Sequence, residues 1–362
     1  MSLKELEPVV GCEAWTPAEL ARDRSWELMV DDRAREELLA SFEQMKAAGG
    51  ELAALGRESF PLGVASKALV REVVRGVRDN RGFVVLRGLP TVGMSVDDAK
   101  LFTWGFSQWV GTCLSQNKAA DLVAVVMDHG QKKGVPLERG YGTNKELELH
   151  IDLTDVVGLL FLRQSPASPP TLISSSLTVF NSFLRERPDL LARAMRGFHW
   201  DRLGEHAPWE SPITPYEVPI FSVNNGKVSC RYNRHWTMSA YRRMNRTLDS
   251  LELEVFDFFD RAARACAFEI GLKSGDMYFA SNFTVTHGKR GHESDPDDAE
   301  TKRVLLRVWL NIPHMREVSD EEVVRWGLIR HGNLGWTGSE LLKGLHQSGG
   351  NVRSLLKIDA VV

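Results

Sequence analysis

The chain is poor in cysteine: four residues, Cys12, Cys113, Cys230 and Cys266, are scattered over its 362 positions. No two form a CxxC pair, so the spacing offers no zinc-finger, thioredoxin-like or disulfide framework. No apolar run approaches 18 residues, which leaves no candidate transmembrane helix. The opening MSLKELEPVV lacks a basic stretch followed by an apolar segment, so no secretory signal is visible. A reduced, cytoplasmic protein is the expectation. Charge of one sign is also missing: 45 Lys and Arg against 48 Asp and Glu leave a formal −3. That balance argues against nucleic-acid or membrane-surface binding. There is no repeat at 20–50 residues, no low-complexity linker, and no GxGxxG, P-loop or GxSxG context.

What is present is an ordinary globular composition, with 43% hydrophobic and 26% charged residues. A chain of this length buries on the order of 75% of its unfolded surface, so no staple is required for folding. Length alone would allow two domains. The first third reads as mostly helical. Thr16-Pro17 starts one helix, Leu38, Leu39, Phe42 and Met45 mark another ended by Gly49-Gly50, and Val70, Val73, Val74 and Val77 a third. Phe83–Leu86 reads as a buried strand, and Ser95 with Asp98 caps a helix reaching about Trp109. From about Asp121 short strands dominate: 122–127, 147–152, 156–162, 277–280, 283–287 and 303–312. Asn224-Asn225-Gly226-Lys227 joins 218–223 and 228–232 as a hairpin, and one long helix carries Leu251, Val255, Phe256 and Phe259. Many short strands with inserted helices suggest an α+β fold, a sandwich or jelly roll with helical additions.

The most informative segment is Glu146-Leu147-Glu148-Leu149-His150-Ile151-Asp152. On a strand, residues i and i+2 share a face with Cα atoms ~6.5–7 Å apart, a spacing that suits chelation of one ion by His150 and Asp152. One His and one carboxylate, completed by a second His, make the facial triad of non-haem Fe(II) oxygenases. Downstream, Phe283-Thr284-Val285-Thr286-His287-Gly288 is a strand pattern ending in His. Then Arg303, Leu305, Arg307 and Trp309 occupy one face of a strand whose other face, Val304, Leu306, Val308 and Leu310, is wholly apolar. Arginine is seldom buried unless it meets an anion, and guanidinium suits bidentate carboxylate recognition.

The ordered set of HxD, a distant His-Gly and an RxxxR strand resembles the taurine dioxygenase/clavaminate synthase superfamily of Fe(II)/2-oxoglutarate oxygenases. Arg81–Gly88, Gly275-Asp276-Met277 and Pro170-Thr171 support the likeness, which covers about residues 80–313. It implies a double-stranded β-helix core. It implies that His150, Asp152 and His287 bind Fe(II), and that Arg303, assisted by the Thr171 hydroxyl, binds the distal carboxylate of 2-oxoglutarate. O₂ is the second co-substrate. Arg307 would face the primary substrate, and Gln116, upstream of HxD, would contact it. After the distal His the family commonly shows His-Gly-Arg and an aromatic; here Lys289 follows Gly288 and no aromatic appears. His292 is therefore a competing ligand, with His287 favoured because it ends the strand. An acid at 152, where related halogenases have a small residue, points to hydroxylation, desaturation or cyclisation.

The expected function is oxidation, hydroxylation foremost, of a C–H bond in a small anionic metabolite such as an amino acid or natural-product intermediate, with release of succinate and CO₂. A non-catalytic jelly roll that binds a small ligand or a structural metal is the alternative, and a zinc hydrolase a third. Because one iron must be reached from both His150 and His287, a single catalytic domain over 1–362 is expected: helices to residue 80, the jelly roll over 80–313 and an extension over 314–362. Homo-oligomerisation is left open. The arginines and aromatics of 231–246 read as a solvated face or a substrate-side lid, and the acids of 293–300 as a solvated loop.

Overall fold

The computed structural model describes residues 5–117, 121–127, 146–164, 168–206, 211–291 and 303–318. His292, the acidic 293–300 loop and the helical pattern expected near 321–328 lie outside the described residues.

Thirteen strands are seen among the described residues. They are β1 (Glu27–Met29), β2 (Phe83–Arg87), β3 (Thr112–Leu114), β4 (Ala124–Met127), β5 (Leu147–His150), β6 (Val156–Arg163), β7 (Thr171–Ser175), β8 (Phe221–Asn224), β9 (Lys227–Cys230), β10 (Phe268–Ile270), β11 (Asp276–Ser281), β12 (Val285–Lys289) and β13 (Val304–Asn311). The larger sheet runs β1-β2-β11-β6-β13-β3, with β4 also pairing to β13; the smaller runs β10-β7-β12-β5. Apart from the parallel pair β1–β2, every pairing is antiparallel. The first eighty residues are thus not only helical: Glu27–Met29 extends the larger sheet beside β2.

Among the helices, α1 (Pro17–Arg22), α2 (Asp32–Ala48), α3 (Val64–Arg78) and α4 (Val96–Val110) precede the smaller sheet. They are followed by α5 (Ser176–Glu186), α6 (Pro188–Arg196), α7 (Arg234–Arg243) and α8 (Ser250–Ala265). The Ser95 hydroxyl accepts the Asp98 N–H at 3.1 Å to start α4, as its sequence indicated. The Asn225-Gly226 turn between β8 and β9 has both residues at positive φ, 49° and 73°, the type I′ geometry that suits a two-residue hairpin.

The alternation on β13 explains the layers. Val304, Leu306, Val308 and Leu310 join a core with Leu38, Phe42, Val73, Phe102 and Phe106, from α2, α3 and α4. Leu305 and Trp309 face the other way, into a core between the sheets with Val85, Phe161, Ile173, Tyr278 and Val285. Arg303 and Arg307 follow the period-2 rule onto that inner face. A third core joins α5, α6 and α8 through Phe180, Phe183, Leu191, Phe256 and Phe259. The jelly-roll sandwich is therefore covered by helices on both sides.

One buried ion pair ties α6 to α8. Glu252 caps α8, its carboxylate accepting the Asp249 N–H at 3.0 Å, and takes Arg193 at 2.7 Å and Arg246 at 3.0 Å. Burial pushes the Glu252 carboxyl up, but the Arg193 hydrogen bond, the Asp249 N–H and the two arginine charges outweigh it and hold it below the usual range. Glu252→Gln would leave the buried Arg193 guanidinium with only the longer contact to Glu217 at 3.7 Å, and about 3 kcal/mol of stability should be lost in denaturant unfolding. Because the folded carboxyl is depressed, the contribution is fully present above its unfolded pKa of about 4.3 and is lost as pH falls through the lower folded value.

Candidate active site

The open end of the sandwich is built around one strand pair. β12 lies against β5 with His287 directly opposite His150, and the register shifts between His287 and Lys289. Gly288 permits the approach: a Cβ there would stand 2.5 Å from the Leu147 carbonyl oxygen, so any side chain would push β5 away. The two imidazole centroids are 4.6 Å apart. The His150 ring is oriented by its own strand. Nδ1 lies 2.7 Å from the Glu148 carbonyl oxygen, which can only accept, so Nδ1 donates there and Nε2 is the nitrogen left for a metal.

Asp152 follows β5 by two residues and is buried at 4% exposure. Its backbone N–H donates to Asn282 Oδ1 at 2.9 Å, which pins the chain as it leaves the strand. The indole N–H of Trp309 donates to Asp152 Oδ2 at 2.9 Å, and Arg307 Nη1 stands 3.5 Å from the same oxygen. Burial alone would raise the Asp152 carboxyl; the charge of Arg307, followed by His287, His150 and the Trp309 hydrogen bond, brings it below the ordinary value. His287 Nε2 is 3.9 Å from Asp152 Oδ2. Burial, with His150 beside it, pushes the His287 imidazole down to about 3, so it is neutral at physiological pH.

Within the described residues, His150, Asp152 and His287 form one group whose ligand atoms all lie within 4.8 Å of one another. Two imidazoles and one carboxylate are the mixed N/O set that suits Fe(II), and neither His287 nor Asp152 needs to shed a proton at neutral pH before binding. Trp309 holds the carboxylate without being a ligand. Trp309→Phe keeps an aromatic ring, though a smaller one, and removes the N–H. Loss of such an outer hydrogen bond typically costs about 10–100-fold in metal affinity. The variant should therefore bind Fe(II) at least about tenfold more weakly in an anaerobic titration.

The triad opens onto a cavity of about 400 Å³. Thr171, Arg303, Arg307, Lys289 and Trp309 line it, together with Asn233, Arg234, His235 and Trp236 at the start of α7. Arg303 Nε donates to Gln164 Oε1 at 3.1 Å, and the guanidinium lies 5.4 Å over the Phe161 ring. It has no carboxylate partner among the described residues, and desolvation brings it down to about 10, still charged at neutral pH. A cation packed in this way suits an anionic partner such as a carboxylate. Thr171 on β7 is buried at the same cavity, in register opposite Lys289.

Of the sequence-derived candidates, His150, Asp152, His287, Arg303, Thr171 and Arg307 line one cavity. Gln116 does not line it. It sits behind Arg307, accepting from Nε at 2.8 Å and donating to the Arg307 carbonyl oxygen at 2.7 Å. The 231–246 stretch divides: Asn233–Trp236 reach the cavity, and Arg234 is held there by Asp257 at 2.9 Å and Asp260 at 2.6 Å of α8. Trp309 and Asn282 were not anticipated as supports of Asp152. A buried indole N–H needs an acceptor, and Trp309 shares a face with the two arginines, so its role left a trace in the sequence. Asn282, 130 residues from its partner, left none.

The family model for the taurine catabolism dioxygenase TauD, TfdA family matches residues 46–309. The chain belongs to that family and is a non-haem Fe(II)/2-oxoglutarate-dependent oxygenase. It is 30% identical over 329 residues to FR-33289 synthase of Streptomyces rubellomurinus, covering 89% of this chain and 96% of that protein. It is 22% identical to the taurine hydroxylase-like protein SAT17 of Stachybotrys chartarum, over 82% of this chain and 77% of that one. Among solved structures, an asparagine oxygenase with Fe(II), 3-hydroxyasparagine and succinate superposes with TM-score 0.60 at 18% identity, covering 79% of this chain and 93% of that one. The non-haem iron oxygenase OrfP with Fe and α-ketoglutaric acid gives 0.58 at 16% identity, covering 79% and 94%. These superpositions carry the fold, the jelly-roll core expected from the sequence.

Proposed function

We propose that the chain hydroxylates a small anionic metabolite, an amino acid or natural-product intermediate, with His150, Asp152 and His287 holding Fe(II), Arg303 and Thr171 holding 2-oxoglutarate, and Arg307 facing the primary substrate. The observation that carries this reading is the placement of two arginines on the inner face of β13. Arg303 has no acidic partner among the described residues, and Arg307 lies at the cavity wall beside Asp152. Bound Fe(II), with 2-oxoglutarate and O₂, supplies the oxidising chemistry, and succinate and CO₂ are released. The protein's part is to hold the reactants, orient one C–H bond and exclude competing reactions. A cavity of about 400 Å³ is near the small end of ligand pockets, ~300–1,000 Å³, and must take both organic molecules, so the substrate is small. The products bound in the structural neighbours, 3-hydroxyasparagine and 3-hydroxy-L-Arg, support hydroxylation of an amino-acid-like molecule.

The test is an ordered screen of amino acids and small acids for stimulation of succinate release, with products identified by mass. The expected result is a gain of one oxygen on an anionic compound. Stimulation confined to neutral or purely cationic compounds would contradict the substrate class.

A further inference from the structure

Arg307 and Asp152 are buried opposite charges that do not close on each other. Their nearest atoms are 3.5 Å apart, whereas charge-assisted N–H···O bonds settle at about 2.7–2.9 Å. Something holds the guanidinium back. Gln116 lies between β3 and β4, which pair in turn along one edge of β13: Leu114 pairs with Trp309, and Ala124 with Arg307. At this crossing the Gln116 side chain occupies the edge. Its Oε1 accepts from Arg307 Nε at 2.8 Å, and its Nε2 donates to the Arg307 carbonyl oxygen at 2.7 Å and the Leu122 carbonyl oxygen at 3.2 Å. The residue is 1% exposed. The guanidinium is also 4.8 Å over the Trp309 ring.

We infer that Gln116 is a positioning residue that restrains Arg307 from capturing Asp152, keeping the carboxylate available to the metal and the guanidinium turned to the cavity. Both ends of the amide are engaged with one residue, so the guanidinium is gripped from its own backbone and from Nε at once. Without that grip, Arg307 can advance the remaining distance and form a full charge-assisted bond to Asp152. The metal would then compete with a buried cation for the one carboxylate of the triad. The inference rests on the proposed role of Asp152 as a metal ligand.

The test is Mn(II) binding to the purified protein without turnover, followed by the loss of the free-ion paramagnetic resonance signal. Circular dichroism verifies folding of each variant. Gln116→Met, close in shape but unable to hold Nε, should weaken Mn(II) binding about tenfold, the lower end for outer-shell changes. Arg307→Met should not weaken it, and Gln116→Met combined with Arg307→Met should bind within about twofold of Arg307→Met alone. Wild-type affinity in Gln116→Met, or an undiminished loss in the double variant, would each overturn the inference. An Asp152→Ala variant that binds Mn(II) like wild type would instead overturn the ligand assignment, and this proposal with it.

Discussion

Asp152→Ala should lower 2-oxoglutarate-dependent oxygen consumption by at least about 10³-fold, a loss of roughly 4 kcal/mol in transition-state terms. The carboxylate is the only acidic member of the triad, and two separate groups hold it in place: the Trp309 indole and the Asn282 amide oxygen on its backbone N–H. Such investment in one buried side chain is hard to explain by stability. Removing it leaves Arg307 in the sandwich without its counter-charge, so a control for folding is needed. Circular dichroism supplies it, and Asp152→Asn keeps the shape and the Trp309 contact while losing the charge. With its fold verified, Asp152→Asn should bind Fe(II) more weakly by about an order of magnitude or more. Equal activity in Asp152→Asn and wild type would remove Asp152 from the ligand set.

The second large effect belongs to Arg303. Truncating one partner of a buried, hydrogen-bonded charge pair costs about 2–5 kcal/mol, so Arg303→Met should raise the Kd for 2-oxoglutarate by at least about 30-fold. The loss must track the distal carboxylate. Binding of 2-oxobutyrate, which lacks that group, should change by no more than about twofold. Arg303→Lys should recover only part of the affinity, because an ammonium cannot present the paired donors of a guanidinium. If Arg307→Met weakens 2-oxoglutarate binding more than Arg303→Met does, the roles of the two arginines are reversed.

The contrast between these residues shows what a sequence can carry. β13 was legible because its information is local: a wholly apolar face against one bearing two arginines identifies which side packs on helices and which turns inward. His150 and Asp152 were legible for the same reason, two residues apart on an extended segment. The hairpin turn at Asn225-Gly226 and the Ser95 cap were likewise written in adjacent residues. Long-range partnerships were not. The strand β1 is three residues long and is stabilised by its neighbour β2 rather than by its own pattern. Helix α7 reads as a run of basic and aromatic residues. Its Asn233 cap and the buried Trp236, Ala240 and Tyr241 show that packing decides its form. Gln116 was noticed for its position upstream of His150 and Asp152, but its partner is 191 residues away on a strand edge, so its task became visible only in three dimensions.

The most direct test of the central claim is anaerobic. Purified protein, freed of metal, is mixed with Fe(II) and 2-oxoglutarate under nitrogen and its visible spectrum recorded. O₂ is then admitted and succinate measured. The account predicts a weak visible charge-transfer band that requires both Fe(II) and 2-oxoglutarate and is lost in Asp152→Ala, followed by O₂-dependent succinate. No band with both present, together with no succinate after oxygen, would contradict it.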